Sequence, residues 1–261
     1  MRITTWNINS VRLRLAGLAR VVETARPDVL CLQEIKTEDD GFPRAAVAAM
    51  GMPHMLVRGN KGYHGVAILS RTPLRPGPTQ DWCGRQDGRH ICARIGGGIE
   101  VHNFYVPAGG DIPDPAVNDK FAHKLAFLEE MVAWSAALKP GKRVLVGDLN
   151  IAPGENDVWS HKQLLDVVSH TPVETDALAR LAATRKWVDA VRRFVPDSQK
   201  LYTWWSYRNR TWPGSDRGRR LDHVWVTPQL APALKGAEVL RDERGWPSPS
   251  DHVPVTVELD V

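Results

Sequence analysis

Acidic, amide and imidazole side chains recur where apolar runs of this chain stop. Asn7 and Asn9 close Trp6-Asn7-Ile8-Asn9, and Glu34 closes Leu32-Gln33-Glu34. Asp148 and Asn150 follow Val146-Gly147, Asp222 and His223 open a late apolar run, and Asp251-His252 precede Val253-Pro254. One such residue alone is as well explained as a cap on the turn or helix that follows. Together, as a set of Asn, Asp, Glu and His, they point to a shared centre. Carboxylate and amide oxygens are hard ligands of the kind Mg²⁺ takes, with a substrate phosphate completing its shell. A histidine held beside carboxylates is protonated near neutral pH and can stabilise an anionic phosphorane or shuttle a proton. His54, His64, His123, His161, His170 and His223 are expected to be structural or surface residues.

A second concentration lies in 199–220. Lys200, Arg208, Arg210, Arg217, Arg219 and Arg220 stand there against Asp216, interleaved with Tyr202, Trp204, Trp205, Tyr207 and Trp212. Cations of this kind grip backbone phosphates, and aromatics offer a wall for an extruded nucleotide or a wedge in a base stack. Trp205 or Tyr207 belongs by expectation to the core. A solvated basic loop with a few core aromatics is the alternative reading.

The elements that must position these residues alternate between strand and helix. Strands are expected at Arg2–Ile8, Val29–Gln33, Val66–Ser70, Ile91–Ile95, Ile99–Val106, Arg143–Val146, Leu221–Val226 and Val253–Leu259. The short, continuously apolar ones read as strands covered on both faces. Helical spacing of apolar residues marks Leu13–Ala25, Pro43–Met50, Lys120–Leu138 and Leu178–Trp187. Long polar loops remain at 107–117, 147–175, 196–220 and 241–252. Structureless loops of that length are uncommon unless they carry function, so one end of a rigid scaffold is expected to hold the site.

The composition sets the frame. The chain has 261 residues, 43% hydrophobic and 25% charged, which is globular and excludes a disordered or coiled-coil chain. One domain over 1–261 is expected, with no linker or repeat. No apolar run reaches the roughly 18 residues of a membrane span, and no secretory signal is read at Met1. Cys31, Cys83 and Cys92 form no metal-binding or disulfide spacing and are expected as buried hydrophobes in a reducing cytoplasm. A net charge of +4 favours a polyanionic partner only slightly. Ten tryptophans against four tyrosines, several in polar company, suggest contact surface.

The stretches Trp-Asn-Ile-Asn-Ser-Val-Arg (6–12), Leu-Gln-Glu-Ile-Lys (32–36), Asn-Phe-Tyr-Val-Pro (103–107), Gly-Asp-Leu-Asn-Ile-Ala-Pro (147–153), Tyr-Thr-Trp-Trp-Ser-Tyr-Arg (202–208), Arg-Leu-Asp-His (220–223) and Ser-Asp-His-Val-Pro (250–254) carry a resemblance from end to end. In that order they resemble the exonuclease III family of abasic-site endonucleases, within the endonuclease/exonuclease/phosphatase superfamily. The resemblance implies a four-layered α/β sandwich, two packed mixed β-sheets flanked by helices, with the site at one edge.

It also implies roles. Glu34 would be the principal Mg²⁺ ligand, with Asn7, Asp148, Asn150 and Asp251 in the metal set, Asn9 nearby and Mn²⁺ able to substitute. Asp148 would align or deprotonate the attacking water, and Asn150 would hold that water or a phosphate oxygen. Tyr105 would hydrogen-bond the phosphate, and His252, oriented by Asp222, would stabilise its charge. Trp204 and Leu221 would line a sugar pocket, and Arg208 would push into the duplex. From the charge of the basic segment itself, Arg208, Arg210 and Arg217 are each expected to hold a phosphate, with Arg12 adding a contact near the first motif. The implied partner is duplex DNA with abasic sites or 3′ ends, acted on by a monomer. A non-specific DNase, a phosphatase or phosphodiesterase of the superfamily, and an inactive DNA-binding relative are the rivals. Two departures matter. Ala108 stands where relatives often carry a polar residue, so either an amide contact to the phosphate is missing or the backbone amides of Gly109 and Gly110 replace it. Asn9 stands where some relatives have Asp, which removes a carboxylate from the metal's surroundings.

Overall fold

The computed structural model describes residues 1–208, 212 and 214–261. Arg210 therefore lies outside the described residues. The first half runs β1 (Arg2–Asn7), α1 (Leu15–Ala25), β2 (Val29–Gln33), α2 (Arg44–Ala49), β3 (His54–Arg58), β4 (Val66–Ser70), β5 (Arg75–Pro76), β6 (His90–Ile95) and β7 (Ile99–Tyr105). The second runs α3 (Asp119–Ala137), β8 (Arg143–Asp148), α4 (His161–Leu164), α5 (Pro172–Arg185), β9 (Val188–Asp189), β10 (Asp222–Val226), β11 (Leu234–Val239) and β12 (Val255–Leu259).

The strands form two six-stranded sheets, ordered β11-β12-β1-β2-β4-β3 and β5-β6-β7-β8-β10-β9. Each is mixed: β1 with β2 and β7 with β8 are parallel, and their other neighbours antiparallel. Strand alternation sorts the side chains. Ile3, Cys31 and Ile68 meet Val101, Val146 and Val224 between the sheets. On the outer face of the first sheet, Trp6, Leu30 and Leu32 pack against Leu18, Val21 and Val22 of α1. On the outer face of the second, Phe104, Leu145 and Trp225 meet Phe127, Leu128 and Met131 of α3 and Leu178 and Leu181 of α5. Helix, sheet, sheet, helix is the expected four-layered sandwich.

The differences from expectation have local causes. α5 starts at Pro172, earlier than Leu178, because Thr171 and Glu174 form a reciprocal cap and proline suits the first helical position. α1 begins only at Leu15, and Leu13 is 76% exposed. The segment 147–175 is not structureless, since it holds α4 and the first turn of α5. β3, β5, β9 and β11, all outside the expected strands, are the four sheet edges. Cys31 and Cys92 are buried, Cys83 is half-buried, and all three are free thiols.

Candidate active site

Parallel pairing brings the C-terminal ends of β1 and β2 together in one sheet and of β7 and β8 in the other. Asn7 lies beside Gln33, next to Glu34, and Tyr105 lies beside Asp148. Antiparallel β10 starts at this edge, placing Asp222 opposite Asp148. The chain turns sharply once past the strands. Asn9, Glu34 and Asn150 all have left-handed backbones, with φ of 47°, 50° and 54°. Asparagine tolerates that region, but glutamate does so only at a cost of roughly 1 kcal/mol or more. The surrounding fold must therefore hold Glu34 in place. Gly147 is needed for the close pairing of β7 and β8, since a Cβ there would lie 2.0 Å from the Phe104 carbonyl oxygen.

Most of the expected residues meet in one hydrogen-bonded chain, and the Asp222–His252 pair faces it across an ion-pair distance. Asn7 Nδ2 donates to Glu34 Oε1 and to Asp148 Oδ2, both at 2.9 Å. The Tyr105 hydroxyl donates to the same Glu34 Oε1 at 2.9 Å. Asn150 gives Asp148 its backbone N–H at 2.9 Å and its side-chain amide at 3.1 Å. His252 Nδ1 lies 2.8 Å from Asp222 Oδ2, and its Nε2 faces Asp148 Oδ2 at 3.6 Å. Asp251 stands slightly apart: it accepts from Asn9 Nδ2 at 3.1 Å and from the Trp204 indole at 3.0 Å.

The electrostatics follow from burial and pairing. Burial works against ionisation of Glu34, but the Lys36 ammonium, 2.9 Å from Oε2, and the Asn7 amide hold its pKa below the ordinary value. Burial likewise works against protonation of His252, but the carboxylates of Asp222 and Asp148 push its pKa up to about 10. Asp148 is pushed up to about 7, mainly by burial, against the pull of His252. Burial and the neighbouring Glu34 and Asp148 raise the Tyr105 phenol well above its usual range, so it remains a donor.

By spacing, the buried group Asp148, Asp222 and His252 could hold a metal ion. Its imidazole, however, already acts as the cation between two carboxylates. The Glu34 side offers the better donor set for a hard ion. The Glu34 carboxylate, the Asn7 and Asn9 amide oxygens and the Asp251 carboxylate are all oxygen ligands of the Mg²⁺ type.

A cleft of about 270 Å³ opens over this centre, lined by Glu34, Tyr105, Asp148, Asn150 and His252 and walled by Trp204, Leu221 and Arg219. Trp204 and Arg219 also border a larger hollow of about 800 Å³ that holds Arg208 and Arg217. Arg12, Arg208 and Arg217 are exposed. The expected run of phosphate-holding cations is thinner than its sequence. Arg220 is fully buried in ion pairs with Asp157 and Asp189, and Lys200 is tied to the Val158 carbonyl at 2.7 Å. Arg219 donates to Val168 O and Ser169 Oγ while lying over the Trp204 ring. Trp205 is core, whereas Tyr207 is 46% exposed. Ala108 and Gly110 do line the reaction cleft.

Several supporting residues escaped the sequence reading. Lys36 bridges Glu34 and Asn9. The Trp6 indole holds the His252 carbonyl at 3.1 Å, and Ser250 Oγ holds the Asn7 carbonyl at 2.7 Å. Lys124, fully buried and paired with Glu174, donates to the carbonyls of Asn150 and Ala108 at 2.8 and 3.3 Å. Lys124 sits among apolar residues of a helix, which was the one signal in the sequence that could have marked it.

This fold, with an acid, amide and imidazole centre at one edge of two stacked sheets, defines the class of phosphodiester-hydrolysing nucleases. The model of the Endonuclease/Exonuclease/phosphatase family matches residues 4–252, and the chain belongs to that family. It is 29% identical over 277 residues to exodeoxyribonuclease III of Haemophilus influenzae, covering 99% of this chain and 100% of that protein. The structure of an AP endonuclease from Archaeoglobus fulgidus superposes with a TM-score of 0.90 at 31% identity over 100% of both chains. A 3′ phosphatase from Neisseria, solved bound to a product DNA hairpin, gives 0.90 at 33% identity over 100% of both chains.

Proposed function

We propose that this chain is a Mg²⁺-dependent DNA repair nuclease of the cytoplasm, acting as a single-domain monomer. It cuts duplex DNA 5′ to abasic sites and removes nucleotides or blocking groups from 3′ ends. The observation that carries this reading is the unbroken chain of hydrogen bonds from Glu34 through Asn7 to Asp148, flanked by the Asp222–His252 pair and open to the cleft under Trp204. The relatives' activities on DNA 3′ ends and abasic sites support it.

Glu34, with Asn7 and Asp251, would hold the metal, and Asp148 and Asn150 would border it. A bound Mg²⁺ supplies charge stabilisation at the phosphoryl oxygens. Asn7 and Asn150 fix the Asp148 carboxylate from either side, so that it aligns the attacking water and takes its proton; as the water oxygen bonds to phosphorus the P–O3′ bond breaks, and the leaving 3′ oxygen is protonated from solvent. His252, protonated and oriented by Asp222, donates from Nε2 to a phosphate oxygen as negative charge grows there. Tyr105 donates to the phosphate, and Trp204 and Leu221 form the wall against which an abasic sugar rests. Arg208 reaches into the duplex, while Arg12 and Arg217, with Arg210, hold its phosphates.

The test is cleavage of three duplexes, one abasic, one with a blocked 3′ end and one intact, with and without chelator. Cleavage of the first two, abolished by EDTA, is expected. Glu34→Ala should lose at least about 10²-fold in turnover and regain part of it in excess Mg²⁺ or Mn²⁺. Undiminished cleavage in EDTA would overturn the reading, and internal cutting of the intact duplex as fast as cutting at the abasic site would favour a non-specific DNase.

A further inference from the structure

A second hollow, of about 420 Å³, shares Tyr105, Ala108 and Gly110 with the reaction cleft. Its remaining wall is basic: Arg85, Arg89 and Lys120 line it together with His64 and His123, against the single carboxylate of Asp119. Arg89 is the fixed part. It is buried, with Nε on Asp87 at 2.5 Å, Nη1 on the Tyr105 carbonyl at 3.3 Å and Nη2 3.0 Å from His64 Nδ1, and its guanidinium lies over the Tyr105 ring at 4.9 Å. Its charge is matched by Asp87, and its work is to hold Tyr105.

Arg85 and Lys120 have no such match. Arg85 Nη1 meets the His123 ring, Nδ1 at 3.3 Å, and among the described residues no carboxylate lies within ion-pair distance of either cation. Burial, reinforced by Arg85 and Arg89 and opposed by Asp87 and Glu130, lowers the His123 pKa, so the ring faces Arg85 as a neutral acceptor and adds no countercharge to it. An arginine fork beside a lysine suits the oxygens of a phosphate group: the fork fixes orientation, and the ammonium adds a point charge. Gly109 closes the wall with φ of 90°, and a Cβ there would meet the interior side chains of Lys124, Val168 and Phe121, so the backbone itself faces the hollow.

We propose that this hollow is a second phosphate subsite, in which Arg85 and Lys120 grip a backbone phosphate of the substrate strand near the one being cut. Tyr105 forms the partition between the two phosphates. That the phosphate belongs to a strand rests on the nuclease reading; that the hollow takes a phosphate does not.

The experiment uses the full chain and the Arg85→Ala/Lys120→Ala double variant, whose exposed side chains can be removed without opening the core. First, inorganic phosphate is titrated while the His123 ring resonances are followed. The wild type should respond saturably, and the variant at least tenfold more weakly. Second, affinity for an uncut duplex in chelator is measured against salt. The variant should lose about 0.9 from the slope of log affinity against log salt, the value of one phosphate contact. A single methylphosphonate placed beside the cleavage position should weaken wild-type binding and leave the variant unchanged. No His123 response overturns the subsite. A response with an unchanged salt slope overturns its assignment to the strand and leaves a site for free phosphate. Absence of DNA cleavage by the wild type would sink the nuclease reading alone, since neither measurement depends on turnover.

Discussion

Asp148 is the residue on which the centre converges, and its surroundings explain which neighbours were readable in advance. The expected acid, amide and imidazole residues flanked apolar runs, whereas Tyr105 was marked by the family resemblance alone, and strand ends sharing one sheet edge meet by construction. Ser250 and the Trp6 indole act on backbone carbonyls that tertiary folding alone brings near, and Lys36, two residues from Glu34, reaches it through a turn with left-handed backbones at both positions that the sequence did not announce. Asp222 and His252 form a close pair, at 2.8 Å. Asp222→Asn should cost turnover by acting on the orientation and charge of His252. Asp222→Asn and His252→Ala together should therefore cost far less than the product of their separate losses, about 10³-fold each on the scale of a catalytic unit. Multiplicative losses in single-turnover kinetics would show that the two act independently. Asp148→Asn should leave affinity for uncut duplex within about threefold of wild type while turnover falls by about 10³-fold. A matching loss of affinity would show that Asp148 grips DNA directly.

At the level of elements, the interior strands were legible because apolar and β-branched residues recur along them and most of their side chains are buried, and the edges were not. His54–Arg58 and Leu234–Val239 are half-buried along most of their length, and mixed residues on an edge look like loop. The start of α5 was hidden for another reason: its first turn is polar because it caps the helix and anchors Lys124. That Lys124–Glu174 pair ties α3 and α5 to both loops of the reaction cleft. Lys124→Met should destabilise by about 3–5 kcal/mol, because Glu174 is left as an unpaired buried charge, and Lys124→Met/Glu174→Gln, which keeps an acceptor for the Ser169 and Thr171 donors, should recover part of that loss. Denaturant unfolding checks both, and a double variant as unstable as the single would refute the account.

Glu243, in the short helical turn before Trp246, offers a pH test of the same region. Burial raises its pKa to about 8, against the pull of the Ser250 N–H, Arg14, Arg244 and His252. A raised folded-state pKa means stability present below the ordinary carboxylate range and lost as pH climbs to about 8. Glu243→Gln should match the wild type at pH 5 and exceed it at pH 8.5 by about 3 °C or more in Tm, the scale of about 1 kcal/mol in a domain this size. A pH-independent difference would refute it.

For the molecule as a whole, the layered sandwich followed from the alternation of elements, whereas the DNA-facing charge did not follow from counting cations. Of the basic segment, Arg208 and Arg217 are exposed at the large hollow beside Trp204, while Arg219 and Arg220 are engaged in holding the fold. Arg217→Ala should lower the slope of log affinity against log salt by about 0.9, and Arg220→Ala should act on stability. Trp204→Ala should keep the slope and weaken discrimination between abasic and intact duplex; salt-titrated binding on both duplexes separates these outcomes. The position of β1 also sets a timetable. β1 is flanked by β2 and β12, and Asn7 is pinned by Ser250, 243 residues further along. A ribosome adding 5–20 residues per second needs roughly 12–50 s to cover that interval. Until then the nascent chain carries β1 with an open edge and no Asp251 or His252. Its cutting centre is thus among the last parts to be assembled, and the exposed edge is where a growing chain is most open to pairing with its neighbours.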